Sequence, residues 1–369
     1  MIRSVTAFTR SYDHWYDRYQ RYYREGLRRE SARRDIQYRE VAMTRATRAL
    51  RPVRRWRDRY LSRLPGEKVV AGVDAAARAL EGPVRTPSGV FHDGVGQYLI
   101  ATDDGRECRV CIDAVDYPTL PSDQLVAWSD LYFKSNRWPS QVYPGKVLPL
   151  VNGDPLILGR IESLRRSRST PKEWDLCFVV RVWGGRDVVE GIEHNVRLLE
   201  SLNRIDGSKV LIAYLVAGDI AGISRRLDAA RIPHRRRSVR PNELWRLMAR
   251  SRLNVIRLGM HYCIPWRMAG AVALGSCVVL DQAPLPSWPV PLREDVNFFD
   301  LGATTVDSPL SDPGNYEAIP EKVAAWLAEP ERIRQMQSEN AEYFDRFVDP
   351  ACVGAYILDA VRDHRSEPV

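Results

Sequence analysis

Lysine is nearly absent from this chain: of its 55 basic residues only six are Lys, and the other 49 are Arg. Cysteine is also scarce, six in 369 residues, which excludes a small disulfide scaffold. The one close pair, Cys108 and Cys111, lies in ECRVCIDAVD, which reads as a strand. Positions three apart on a strand point to opposite faces and cannot share a metal. No stretch reaches the roughly 18 apolar residues of a membrane helix; the longest, Met268 to Leu280, is interrupted by Gly and Ser. The opening MIRSVTAFTRSYDHWY carries no apolar signal core, so a cytoplasmic chain without a membrane span is expected.

Several catalytic signatures are missing as well. Gly145-Lys146 is followed by Val147, so there is no Walker sequence, and Gly94-Val-Gly96 leads into a strand, not into a helix. H-E-x-x-H and G-x-S-x-G do not occur. NAD chemistry, ATP phosphotransfer, zinc peptidases and α/β-hydrolases all fall in rank.

What is present is a globular composition, 44% hydrophobic and 28% charged, with length enough for two domains. The net charge of +8 is concentrated at one end: residues 1–60 hold 17 Arg against seven acids, leaving the remainder slightly negative. In that segment Tyr12, Trp15, Tyr16, Tyr19, Tyr22 and Tyr23 recur at helical steps. A basic, Tyr-rich helical extension over 1–60 is expected, docked on the body or on a second copy as a homodimer. Aromatic residues interleaved with Arg could instead stack bases and hold phosphates, a nucleic-acid reading, and a membrane-surface helix is a further alternative.

Beyond the extension, residues 61–168 form a β-rich α/β domain, with strands from Gly89 to Tyr132 and a hairpin turn at Asp103-Asp104-Gly105. The polar segment 160–171 reads as a linker, so the next domain spans 169–345, and 346–369 is a C-terminal helix. In 169–345 strands at 175–180, 209–216, 253–258 and 277–280 alternate with helices, which implies a parallel sheet. Ligands of such sheets gather at the strands' carboxyl ends. Arg181-Val-Trp-Gly184-Gly185-Arg186 occupies that position: glycines admit an anion to backbone N–H groups, and the arginines supply charge for a diphosphate. Asp187, with Glu190 three residues on, competes for those donors as a helix cap.

A second constellation runs from Asn242 to Leu280: a helix feeds a strand, a loop carries His261, Tyr262 and Arg267, and Ala273-Leu-Gly275 closes a helix before Cys277-Val-Val-Leu280. This order resembles the donor-binding half of GT-B glycosyltransferases, and Asp295-Val-Asn297-Phe-Phe resembles a loop that follows it there. The resemblance covers about 171–345. More loosely it covers 89–150, where Asp130-Leu-Tyr-Phe-Lys-Ser-Asn-Arg137 is similar to the acceptor half of exostosin-like relatives.

The resemblance implies a GT-B-like α/β fold: two Rossmann-like domains with a cleft between them. It also implies sugar transfer from a nucleotide-diphosphate sugar, a UDP-sugar first, to the hydroxyl of a small molecule, nucleoside or glycan, with no metal and no further cofactor. Arg181, Gly184, Gly185, Arg186, His261, Tyr262, Arg267 and Asn297 would hold the donor. Members of the family often carry Glu where this chain has Gly270, paired in retaining enzymes with an acid where it has Tyr262. Without both carboxylates an inverting displacement is expected, with a base from the acceptor half. Asp113 is the first candidate, followed by His92 and Asp116. A sugar-nucleotide epimerase of related fold, which needs no acceptor, is the remaining alternative.

Overall fold

Two six-stranded sheets organise the chain. The computed structural model describes residues 1–10, 17–44, 84–182, 189–215, 220–237, 239–283, 285–303 and 313–366. They belong to two units: Met1–Leu158 with Pro286–Pro291 and Arg346–Val369, and Gly159–Leu285 with Leu292–Asp345.

The sheet of the first unit contains β1 (Ile2–Thr9), β2 (Gln37–Ala42), β3 (Val95–Thr102), β4 (Glu107–Asp113), β5 (Leu131–Lys134) and β6 (Val147–Pro149), in the order β2-β1-β3-β4-β5-β6. Only β3 runs against its neighbours. Helix α1 (Gln20–Arg33) joins β1 to β2, and α2 (Asp123–Trp128) joins β4 to β5. Cys108 and Cys111 both lie on β4, buried and unbridged.

Residues 1–10 and 17–44 are therefore not a helical extension: β1, α1 and β2 are part of this unit. Val5, Thr6 and Ala7 are buried, and β1 is paired on both edges. Tyr22 and Tyr23 of α1, and Tyr19 just before it, are buried within the unit. Tyr23 donates its hydroxyl to the Val151 carbonyl at 2.9 Å, and Tyr22 donates to that of Val348. The C-terminal helix α11 (Pro350–Ser366) lies against α1, where Gly26 and Gly354 face each other too closely for any Cβ. The surface expected to receive a second copy is thus occupied by the same chain. Its arginines are paired too: Arg28 and Arg29 with Glu25, Arg33 and Arg34 with Glu30, and Arg34 with Asp359 at 2.7 Å. These four arginines share three carboxylates, so their charge is offset only in part. Tyr12, Trp15 and Tyr16 lie outside the described residues.

The second unit opens on α3 (Ile161–Arg166), where a linker was expected. Ile161 and Leu164 are buried, and Arg168 donates to the Ala273 carbonyl at 3.0 Å and pairs with Asp345 at 2.6 Å, so the polar run is anchored. The strands and helices then alternate as the hydrophobic spacing requires: β7 (Trp174–Val182), α4 (Val189–Asn203), β8 (Lys209–Leu215), α5 (Ile220–Ala229), β9 (His234–Arg235), α6 (Pro241–Ala249), β10 (Ser251–Ile256), α7 (Arg267–Ala273), β11 (Cys277–Leu280) and β12 (Phe299–Asp300). Helices α8 (Pro313–Glu317), α9 (Ile319–Leu327) and α10 (Pro330–Tyr343) complete it. The sheet is wholly parallel, in the order β12-β11-β10-β7-β8-β9. Leu176, Phe178, Val180 and Val182 of β7 point into one core with Val196, Leu199 and Leu202 of α4, while Cys177, Val179 and Arg181 face the other side, by the two-residue period of a strand. Among the described residues no helix is long and apolar enough to cross a membrane.

Candidate functional site

The strand order of the second unit reverses between β7 and β10: the chain goes from β7 to β8 and β9 on one side, then returns to β10, β11 and β12 on the other. Right-handed crossovers put helices on opposite faces on either side of such a point, leaving a crevice at the carboxyl ends of the two strands. Here the crevice lies between the ends of β7 at Val182 and β10 at Ile256. The ladder joining them stops at Cys177 and Asn254, whereas β7 stays paired with β8 as far as Val182 and Leu215.

Arg267, the first residue of α7, reaches β7 beyond the last rung shared with β10: its Nη1 donates to the Val179 carbonyl at 2.6 Å. Arg181 projects from the same face of β7 by strand alternation. Its carbonyl accepts the side-chain amide of Asn195 at 3.3 Å, which ties the strand end to α4. Gly184, Gly185 and Arg186, expected to complete the anion loop, lie outside the described residues.

The loop after β10 is strained. His261 and Tyr262 are consecutive non-glycine residues at φ 56° and 55°, held by Tyr262 N–H donating to the Gly259 carbonyl at 3.1 Å and Gly259 N–H to that of Cys263 at 2.8 Å. Residues of this kind are costly in the left-handed region, and such strain gathers at functional sites. Partial desolvation holds the His261 imidazole below the usual histidine range. Behind the loop is a buried array: His194 Nε2–H donates to Asp281 Oδ2 at 2.9 Å, Tyr316 O–H donates to His194 Nδ1 at 2.7 Å, and Asp281 Oδ1 accepts Leu258 N–H at 2.8 Å. Asp281 thereby fixes the base of the loop to the end of β11.

Two residues at this edge escaped the sequence reading. Arg257 directly follows β10, its Nε is buried, and it has no hydrogen-bond or ion-pair partner among the described residues. Asp300 ends β12; burial pushes its carboxyl above the usual range, and the nearby Asp281 adds to the effect. Asn297 lies in the loop before β12. Its side chain accepts Arg293 N–H at 3.0 Å and donates to Asn340 at 3.1 Å, so it braces its own loop. The position of the missing carboxylate is also accounted for: the space beside Gly270 is filled by the ring of Trp245 from α6.

In the first unit the three candidate bases differ. Asp113 is fully buried, and its carboxylate takes Lys134 at 2.8 Å, the Tyr132 hydroxyl at 3.0 Å and the Val115 amide at 2.9 Å. With these donors in place it anchors Lys134 and presents nothing to a ligand. Asp116 is part-buried, and its carbonyl accepts the Asn136 side chain. His92 sits in the turn before β3, part-buried, with Nδ1–H donating to the Asp93 carbonyl at 2.9 Å. That bond assigns the lone pair to Nε2. Asp93 itself pairs with Arg10 at 2.9 Å. Asp104 is bound by Thr102 and Arg106 within its hairpin, and among the described residues no group of three His, Cys, Asp or Glu is placed to hold a metal ion.

No family model matches the chain, and no curated protein matches it. Solved structures do resemble it. HepE of Anabaena, in complex with UDP-glucose, is 13% identical with a TM-score of 0.40, over 64% of each chain; the protein thus spans just under two thirds of that structure. MurG of Acinetobacter baumannii is 11% identical with a TM-score of 0.41, over 98% of this chain and 99% of that one. TarM is 9% identical with a TM-score of 0.48, over 100% and 99%. The chain itself has two α/β units, each built on a six-stranded sheet, as the motif order implied.

Proposed function

We propose that the protein is a glycosyltransferase that takes a nucleoside diphosphate sugar at the β7/β10 edge of its second unit and transfers the sugar to an acceptor hydroxyl. What supports this reading is the placement of Arg181 near the end of β7, Arg257 just after β10 and Arg267 at the start of α7, around the switch point and beside a loop with two non-glycine residues at positive φ. Guanidinium groups suit a diphosphate because each can give two parallel charge-assisted hydrogen bonds. They also offset the charge that develops on the departing nucleotide, an effect that grows where water is excluded.

Arg267 is pre-oriented by its bond to Val179, so little side-chain freedom is lost when a ligand binds. A UDP-sugar is the first donor to test. Trp245 in place of an acid beside Gly270, and Tyr262 in place of its partner, favour a single inverting displacement. His92 Nε2 is the base that suits it best among the three candidates, since it can accept the acceptor proton without breaking a buried ion pair.

The test is a panel of uridine, guanosine, adenosine and thymidine diphosphate sugars, monitored for released nucleoside diphosphate with and without a mixture of hydroxyl acceptors. Acceptor-dependent release from one donor is the expected result. Isomerised sugar without an acceptor would identify an epimerase, and no turnover or binding with any donor would refute the proposal.

A further inference from the structure

The second unit has another concavity, away from the edge just described. A groove of about 400 Å³ runs between α6 and the segment formed by α3 and the turn Ser167–Ser169. Arg250 immediately precedes β10 and Thr170 lies shortly before β7, so this part of the groove is at the amino-terminal edge of the sheet, opposite His261. Three arginines line it, Arg160, Arg246 and Arg250, together with the hydroxyl residues Ser163, Ser167 and Thr170. No Asp or Glu does. Arg250 is paired with Glu173 at 2.6 Å. Arg246 is exposed and has no ion-pair partner among the described residues. Trp245, also in the wall, is buried with an indole N–H that has no acceptor among the described residues.

We propose that this groove is a second anion site, for a phosphate group carried on a hydroxyl-bearing body. Guanidinium forks match phosphate oxygens, hydroxyl groups can donate to phosphate and accept from a polyol, and a lining without carboxylates sets no repulsion against a dianion. The volume equals roughly a dozen waters at about 30 Å³ each, more than a bare phosphate fills. The same chemistry could be supplied by a soluble phosphomonoester or by a phospholipid headgroup.

Two arms separate these sources, both on the full chain with UDP in excess. In one, glycerol 3-phosphate is titrated by calorimetry; in the other, sedimentation with phosphatidylglycerol vesicles is compared with phosphatidylcholine vesicles. The expected result is saturable binding in one arm that weakens at least tenfold in Arg246→Glu and persists in Arg267→Ala. Arg246→Gln, which removes the charge without reversing it, should weaken binding less and leave the unfolding temperature unchanged. Glycerol 3-phosphate binding assigns a soluble ligand, and binding to phosphatidylglycerol alone assigns a headgroup. The proposal is overturned if neither probe binds, if the Arg246 variants bind like wild type, or if Arg267→Ala abolishes the same binding.

Discussion

The indole of Trp245 lies against the α-carbon of Gly270 so closely that no side chain fits there. A single contact between α6 and α7 thus explains how the chain does without the acid expected at that position. Gly270→Ala should destabilise the protein by about 1–3 kcal/mol through overpacking, and Gly270→Glu by more. Combining Gly270→Glu with Trp245→Ala should cost less than the two changes added together, with a coupling of about 1 kcal/mol or more. Urea unfolding of the four proteins measures this; strict additivity would contradict the contact.

The three arginines at the switch point should act on donor binding, and Arg267→Ala also loses its bond to the Val179 carbonyl, so that variant should melt somewhat lower. Replacing Arg181, Arg257 or Arg267 by Ala removes a charge-assisted hydrogen bond worth about 1.5–3 kcal/mol, roughly a ten- to hundredfold rise in the Kd for UDP. Arg267→Lys should recover only part of the loss, since an ammonium cannot present a planar fork. Equilibrium titration with a parallel thermal melt checks both halves of this expectation.

In the first unit, Asp113 and His92 should separate stability from activity. Asp113→Ala leaves Lys134 charged and buried without its partner, at a cost of about 3–5 kcal/mol. His92→Ala removes a part-buried turn residue and should change stability by less than about 0.5 kcal/mol. It should lower kcat by a factor on the order of 10² to 10⁴ if His92 is the base. Unchanged turnover in a folded His92 variant would return the search to Asp116.

Much of the second unit was legible in the sequence because its strands are short apolar runs and its helices keep a 3.6-residue period. Val196, Leu199 and Leu202 on α4 are an example, and they meet Leu176 and Phe178 of β7 in the core. The first sixty residues were not. In β1, Arg3, Ser4, Thr6 and Thr9 dilute the apolar signal, and only the pairing with β2 and β3 reveals a strand buried at its centre. The tyrosine spacing did identify a buried face on α1, although Val348, whose carbonyl accepts the Tyr22 hydroxyl, lies 326 residues further along the chain. The motif reading singled out Arg181 and Arg267 and did not reach Arg257 or Asp300, since nothing local marks residues at or just past a strand's end as the edge of a crevice. Likewise the His194–Asp281–Tyr316 array joins positions no local pattern connects.

Asp300 carries a pH signature. Its folded carboxyl is held above the ordinary value of about 3.9, so between that value and the raised one the folded state binds more protons than the unfolded state. Its contribution to stability is therefore full at low pH and is lost as pH rises through the window. Asp300→Asn keeps an oxygen for the Gly302 N–H, which the aspartate accepts at 2.9 Å. The variant should melt at a higher temperature than wild type at pH 7, with the difference vanishing near pH 4. A difference that instead widens on acidification would contradict the assignment.

The central claim is that the carboxyl ends of β7 and β10 receive a nucleoside diphosphate. Calorimetric titration of UDP into wild type and Arg257→Ala tests it most directly, because Arg257 has no hydrogen-bond or ion-pair partner among the described residues to lose. One binding site in wild type, weakened at least tenfold in the variant at equal thermal stability, is the predicted result. Equal affinity in both proteins, or no heat with UDP, GDP, ADP or TDP, would contradict it.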